Sequence, residues 1–352
     1  MSAASSWRRR AAIVMLAACA LASWAPLGAA TGEEPLTPAE HRRGTEQTYL
    51  TFPEWFLVFS PAEYAAFVQH HPPSEFPFAG HVRQYWQSYG FVDRAAAEYP
   101  RNSEYHIMIW TIGVSTAVEY GARLAYETLF GRVSELTTTY GETAEDRLHA
   151  RVAQDYVDFI RVRPFYEFDY VTPLIETWKA PWLGHDMLRK WERKYALSTE
   201  YGAKAAYAWV MKKLTQASYG VSGSTTAAVI DRLPEGVLSE LPEAKVLAQH
   251  ADGSVLLLLP RYAAFQHQAE VLAARGARFV EIAGNRTVLL VTALVPRDQP
   301  PVPEGARVLF SQPILTDPTH QRVAYVVPVA SLHTVLPALS RAPAQVEHVF
   351  DY

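Results

Sequence analysis

Between Thr48 and Tyr219 the apolar residues recur every three or four positions, the period of helices that bury one face. His81–Ala97 sets Val82, Tyr85, Trp86, Tyr89 and Val92 on one side and ends before Pro100. Residues 103–135 predict a long helix bent at Gly113. Thr143–Ile160 aligns Leu148, Val152, Tyr156 and Phe159 and stops before Pro164, and a last helix is predicted from Asp186 to Tyr219. Two further helix starts are predicted at Thr37-Pro38-Ala39-Glu40 and Ser60-Pro61-Ala62-Glu63. Each offers a hydroxyl for an orphan amide, a proline where no N–H is needed, and a carboxylate that reaches back to the cap.

After Gly220-Val221-Ser222-Gly223-Ser224-Thr225-Thr226 the pattern changes to short apolar runs separated by turns. Ala244-Lys245-Val246-Leu247 recurs as Ala306-Arg307-Val308-Leu309, and Ser254–Pro260 recurs as Arg322–Pro328. A short amphipathic helix follows each proline, then a strand, Ala277–Ile282 or Ala344–Val349. Asp252-Gly253 and Gly284-Asn285 predict tight hairpins, the second leading into Val288–Val295. The expected fold is therefore α+β: an aromatic-rich all-α N-terminal domain, then a smaller domain of duplicated ββαβ units with one extra strand between them. Helices on one face of such a sheet give a ferredoxin-like arrangement.

The helical part also carries a repeat. Val118-Glu119-Tyr120-Gly121-Ala122-Arg123-Leu124-Ala125-Tyr126 aligns with Thr199-Glu200-Tyr201-Gly202-Ala203-Lys204-Ala205-Ala206-Tyr207, identical at six of nine positions. At the same offset of 81, Trp110 matches Trp191, Arg132 matches Lys213 and Ser134 matches Thr215. Both copies place glutamate four residues before a cation, which supports a helix. Both also space Gly and Ala by four, which predicts close approach of another backbone. The repeat serves either as a pseudo-symmetric binding surface or as a duplicated hairpin that binds nothing.

The first thirty residues read as a leader: Arg8-Arg9-Arg10, the apolar run Ala11–Leu21, and small residues at Gly28-Ala29-Ala30. Leu16-Ala17-Ala18-Cys19 resembles a lipobox, so Cys19 is a candidate lipidation site beside plain cleavage or retention as an anchor. Each reading puts the body of the chain outside the cytoplasm, in the periplasm or envelope. The expected divisions are 1–30 leader, 31–45 tether, 46–220 helical domain and 221–352 α+β domain. Composition supports the last boundary: residues 46–220 hold 34 aromatics and residues 221–352 hold 7. The formal charge of −4 loses three arginines with the leader and becomes −7, which argues against nucleic acid as a partner. With Cys19 the sole cysteine, disulfides and thiolate metal sites are excluded.

No motif identifies a reaction. Asp146 and His149 lie three apart, followed by Asp155 and Asp158, but no zinc-ligand pattern surrounds them, so a surface helix is expected. His70 and His71, before Pro72-Pro73, suit an exposed loop, and His106 suits a satisfied core position. Ile107–Val118 lacks charge over twelve residues, too few to span a bilayer, so a buried helix is expected. Arg189-Lys190-Trp191-Glu192-Arg193-Lys194 predicts a solvated basic face with one buried tryptophan, or a face lying on anionic lipid with Trp191 as wedge. No cofactor fingerprint or nucleophile elbow occurs. Phe165-Tyr166-Glu167-Phe168-Asp169-Tyr170 would suit a glycosidase or sugar groove only if carboxylates met in space.

The segments Thr51-Phe52-Pro53-Glu54-Trp55-Phe56, Ser60-Pro61-Ala62-Glu63-Tyr64-Ala65, Arg189–Lys194 and Glu347–Tyr352 make the chain resemble a group of uncharacterised exported bacterial proteins. That resemblance implies export and no activity. The leading expectation is a non-catalytic envelope protein that binds an apolar ligand or a partner protein and associates with the membrane through its N-terminus. A second is a hydrolase in which Glu54, His106, Glu119 and Glu127 converge. A third is structural self-association.

Overall fold

Pro53 begins the first long helix. In the computed structural model, which describes residues 34–216, 225–298 and 300–351, helix α1 spans Phe52–Val68 and runs through Pro61. The leader with Cys19 and the Gly220–Ser224 part of the predicted boundary lie outside the described residues. Proline near the start of α1 gives up no intrahelical bond. The start predicted at Ser60 is overturned, because Ser60 turns inward and bonds His81 and Tyr120 instead of capping. At Thr37 the hydroxyl likewise caps nothing; it donates to Glu281, and a single 3-10 turn, Ala39–His41, follows.

Helix α2 spans Phe78–Ala95 and α3 spans Ser103–Tyr126, capped by the Asn102 side chain. No break in α3 occurs at Gly113. A Cβ there would strike the Tyr85 and Trp86 rings, so glycine lets α2 and α3 approach. A π-helical turn, Glu127–Gly131, joins α3 to the short α4, Arg132–Leu136. Helix α5, Ala144–Ile160, starts in a capping box between Thr143 and Asp146. Helix α6, Val171–Lys179, was not foreseen, and α7 spans Met187–Gln216.

The chain then forms two four-stranded antiparallel sheets, so the fold is α+β. Strands β1 Thr225–Ile230, β2 Lys245–Gln249, β3 Val255–Pro260 and β4 Phe279–Ile282 take the order β2-β3-β1-β4, with α8, Ala263–Ala274, before β4. Strands β5 Val288–Pro296, β6 Arg307–Ile314, β7 Asp317–Pro328 and β8 Gln345–Val349 take the order β6-β7-β5-β8, with α9, Leu332–Arg341, before β8. The orders match strand for strand. The repeated unit is thus βββαβ: Val288–Pro296 opens the second copy instead of separating two copies, and its counterpart β1 starts inside the predicted boundary segment. The tight turn expected at Gly284-Asn285 forms one residue earlier: Ala283 and Gly284, both at positive φ, close an antiparallel bridge between Ile282 and Asn285, and the turn carries the chain from β4 of one sheet to β5 of the other.

Ala228, Leu257 and Leu259 from one sheet, Val291, Val323 and Tyr325 from the other, and the inner faces of α8 and α9 fill one core. The opposite face of the second sheet carries Leu290, Phe310, Ala324, Val326 and Phe350, which pack against Phe52, Phe56 and Phe59 of α1. Pro35–Tyr352 therefore forms one compact unit. Within it, Leu36 and Thr37 amides donate to the buried Glu281 carboxylate of β4, which fastens residues 35–43 to the first sheet.

Candidate functional site

Helix α7 opens with its polarity reversed. Arg189, Lys190, Arg193 and Lys194 point inward and are nearly inaccessible, with Arg193 1% and Lys194 0% exposed along their side chains. Met187, Leu188, Trp191 and Tyr195 occupy the outward face. The cations are inside and Trp191 is outside, so the segment is neither a solvated basic face with a buried tryptophan nor a basic cluster resting on lipid, and only the outward Trp191 of the second reading remains.

Buried cations survive only with partners in good geometry. Arg193 donates to both Glu127 oxygens at 3.0 Å and also to Glu192. Arg189 donates to Asp146 at 2.8 Å and to Ser134, and Lys194 lies 2.9 Å from Glu145 while donating to the Thr177 and Ala180 carbonyls. Lys190 lies 3.6 Å from Glu145. Burial opposes the charged form of Arg193, but the bonds of Glu192 and the charge of Glu127 outweigh it and hold its pKa above the ordinary guanidinium value. The same pair explains the π turn. A Cβ on Gly131 would overlap the Glu127 carboxylate, so glycine admits the pair, while the widened turn pushes Leu129 and Phe130 outward.

The two repeat copies meet through a second ionic group. Arg123 of α3 bonds Glu200 of α7, and Lys204 of α7 lies 3.4 Å from Glu119 of α3. Each cation also reaches the glutamate four residues before it. Equivalent residues thus pair reciprocally, Tyr120 and Tyr201 are both buried, and Trp110 and Trp191 are both exposed. Burial alone would raise the Glu200 pKa; Arg123 and then Lys204 outweigh it and hold it well below the carboxylate range. The predicted backbone approach at Gly121 and Gly202 is absent, for a Cβ at either position meets nothing within 4 Å.

Outside these polar interiors the helices expose many large apolar side chains. On α3 to α4 they include Ile107, Trp110, Val114, Val118, Leu129, Val133 and Leu136, so Ile107–Val118 is not the buried stretch expected from its lack of charge. On α6, the following loop and α7 they include Ile175, Trp178, Trp182, Leu183, Trp191 and Trp209. The Trp182 ring lies 5.5 Å from Trp178 and 5.2 Å from Trp191, and Tyr126 stacks on Tyr195 beside Phe130. Of the 29 large apolar side chains exposed among the described residues, 24 precede residue 220, so the surface belongs to the helices. One hollow of about 580 Å³ dents it, open to solvent and lined by Arg101, His106 and outward residues of α3.

The residues proposed for hydrolysis do not converge. Glu54 is bonded by Tyr105, His106 by Tyr89 at 2.9 Å, Glu119 belongs to the α3–α7 quartet, and Glu127 is held by Arg193. Burial raises the Glu54 pKa to about 7, against the opposing pull of Arg261. Asp146 and His149 lie on an inward face rather than a surface, with His149 Nε2 2.8 Å from the Tyr64 hydroxyl. Asp155 and Asp158 are exposed, as are His70 and His71. No group of metal-ligand side chains forms among the described residues. Sequence reasoning missed one array: Ser60 Oγ lies 2.9 Å from His81 Nδ1, and His81 Nε2 lies 3.6 Å from Glu63, itself paired with Arg322 of β7. Ser60 and His81 are each 1% exposed, so the array is sealed from substrate and ties α1 and α2 to the second sheet.

No family model matches this chain, and neither a curated protein nor a solved structure shows significant similarity to it.

Proposed function

We propose that this is an exported, non-catalytic envelope protein whose helices bind an apolar partner through the outward faces of α3, α6 and α7. The observation that carries this reading is the inversion itself: four cations inside α7 and an aromatic face outside it. In water that arrangement exposes apolar surface and desolvates charge together, two costs that only an apolar neighbour offsets. The leader supports delivery to the envelope, by cleavage after Ala30, by acylation at Cys19, or as an uncleaved anchor. The hydrolase alternative depends on convergence of Glu54, His106, Glu119 and Glu127, which sit in four separate networks. The shared order of the two sheets supports reading each βββαβ unit as ferredoxin-like with its first helix reduced.

The test is photo-crosslinking in the cells that make the protein, with benzoylphenylalanine at Trp182 or Val133 and a control at Leu238. Adducts to lipid or protein from the two helical positions, with none from Leu238, are expected. Bare, unadducted protein at both helical positions would sink the reading.

A further inference from the structure

The open surface has a chemistry that selects one class of partner. This inference rests on the proposed apolar docking, and it names what is docked. We propose that the outward faces of α3, α6 and α7 lie in the plane of a lipid bilayer that carries anionic headgroups, at the boundary between headgroups and acyl chains.

Charge is the first argument. From Ile107 to Leu136 and from Val171 to Lys213, Glu119, Glu176 and Asp186 reach solvent, and each already has a partner: Lys204, Arg151, and the Thr139 and Tyr140 amides respectively. The cations exposed on the same faces are Arg132, Lys179, Lys212 and Lys213. A surface that is apolar and cationic, in a chain whose formal charge is negative, complements lipid phosphates. A second copy of the chain docked symmetrically would set those cations against each other.

Side-chain type is the second. Five of the seven tryptophans beyond the leader, Trp110, Trp178, Trp182, Trp191 and Trp209, are exposed by more than a third. Tryptophan is favoured at the headgroup level, where an apolar ring and a polar N–H are both satisfied. Extent is the third. Residues 103–136 run for about 50 Å at 1.5 Å per residue, and the hollow along them is open rather than a closed chamber for one small ligand. No described helix is long and apolar enough to cross a membrane. The ionic quartet bridges α3 to α7 and the Arg193–Glu127 pair lies inside, so these helices fit an in-plane position with only their outer faces submerged.

The full-length chain, with Cys19→Ser and a single new cysteine at Leu129→Cys, Leu183→Cys or Leu238→Cys, is labelled with an environment-sensitive fluorophore. It is mixed with phosphatidylcholine vesicles with or without phosphatidylglycerol. Labels at 129 and 183 are expected to shift to the blue and to be quenched by nitroxide lipids, while the label at 238 keeps its aqueous emission. Two face positions guard against one variant failing to fold. Lys179→Gln is expected to weaken binding to the anionic vesicles about fivefold, with little change on neutral ones. Water-like emission at both face positions in every vesicle would overturn the lipid assignment. If cellular cross-links to protein then form, apolar docking stands and the partner is a protein; if none form, both proposals fall.

Discussion

The helical half and the sheet half solve burial in opposite ways. Around the sheets the interior is largely aliphatic, and among the described residues beyond 225 only Leu238, Val246, Leu247, Val302 and Val308 remain as exposed large apolar side chains. Around α7 the interior is ionic and the exterior aromatic. One chain therefore carries two kinds of outside. The hydrophobic effect sorts residues by what the outside is, not by a fixed rule that charge faces out.

The sharpest way to break this comparison is to remove one buried charge. Arg193→Ala should cost about 3–5 kcal/mol, because Glu127 and Glu192 would be left buried without their cation. Replacing the pair together, Arg193→Leu with Glu127→Leu, should recover part of that loss, since an apolar pair needs no desolvation while Glu192 retains only Ser134 and Arg189. In the sheets, Leu257→Ala should cost about 2–5 kcal/mol through transfer and cavity terms, with no partner substitution able to restore it. Urea unfolding of the variants measures all three. A harmless Arg193→Ala would mean that the ionic interior contributes little.

Acid acts on buried groups in both halves. Burial lowers the pKa of His81 to about 3, His149 to about 4 and His348 to about 3. Their unfolded counterparts protonate near pH 6.5 while the folded rings stay neutral, so stability falls as pH drops from 6.5 toward 4. Each contributes a slope of up to ~1.4 kcal/mol per pH unit. Glu54 acts in the reverse sense. Its pKa, raised to about 7, makes stability fall as pH climbs from 4.5 to 7. His106 shifts in the same direction as these histidines, and Glu63 and Glu270 in the same direction as Glu54. Glu200 and Asp351, held low by their cations, lose their contribution in acid, so stability peaks near neutrality with acid unfolding below it. A melting temperature that holds constant between pH 6.5 and 4.5 would refute this balance.

Smaller again is the effect of filling the α2–α3 contact. Gly113→Ala should cost about 1–3 kcal/mol, because the new methyl must displace the Tyr85 and Trp86 rings. Gly121→Ala and Gly202→Ala, with open space at both sites, should be neutral or slightly stabilising through helix propensity. Thermal melts of the three variants test whether spacing or packing decides what a helical glycine does.

Much of the secondary structure was legible because periodicity is local. The helices at 78–95, 144–160 and 187–216 and most strands follow from their apolar spacing and flanking prolines. The start at Ser60 failed because a helix already begun at Phe52 tolerates Pro61 in its interior, and His81 and Tyr120, both distant in sequence, take the Ser60 hydroxyl. Strand β1 is masked by its boundary, since Thr225 and Thr226 close the linker-like segment and only pairing with β3 and β4 makes them the start of a strand. The reciprocal repeat was visible, but its ion pairs across α3 and α7 were not, because long side chains meet over distances no sequence spacing reports. The inverted face was least legible of all. Amphipathic spacing identifies two faces of a helix and is silent about which one turns inward; here Glu127, Glu145 and Asp146, each at least forty residues away in sequence, decide it.

The smallest expected effect is the most telling. Trp182 contacts Trp178 and Trp191 but is half exposed, so Trp182→Ser should change the stability of the chain in water by no more than about 0.5 kcal/mol. An aromatic of that size buried in a core would cost several times as much. If the outward face exists for a neighbour, the loss should appear only when the neighbour is present, as weaker attachment with an unchanged urea midpoint. If the face were merely the rim of the helical core, stability and attachment would change together. Measuring both on one variant therefore separates a surface kept for docking from a surface left over by packing.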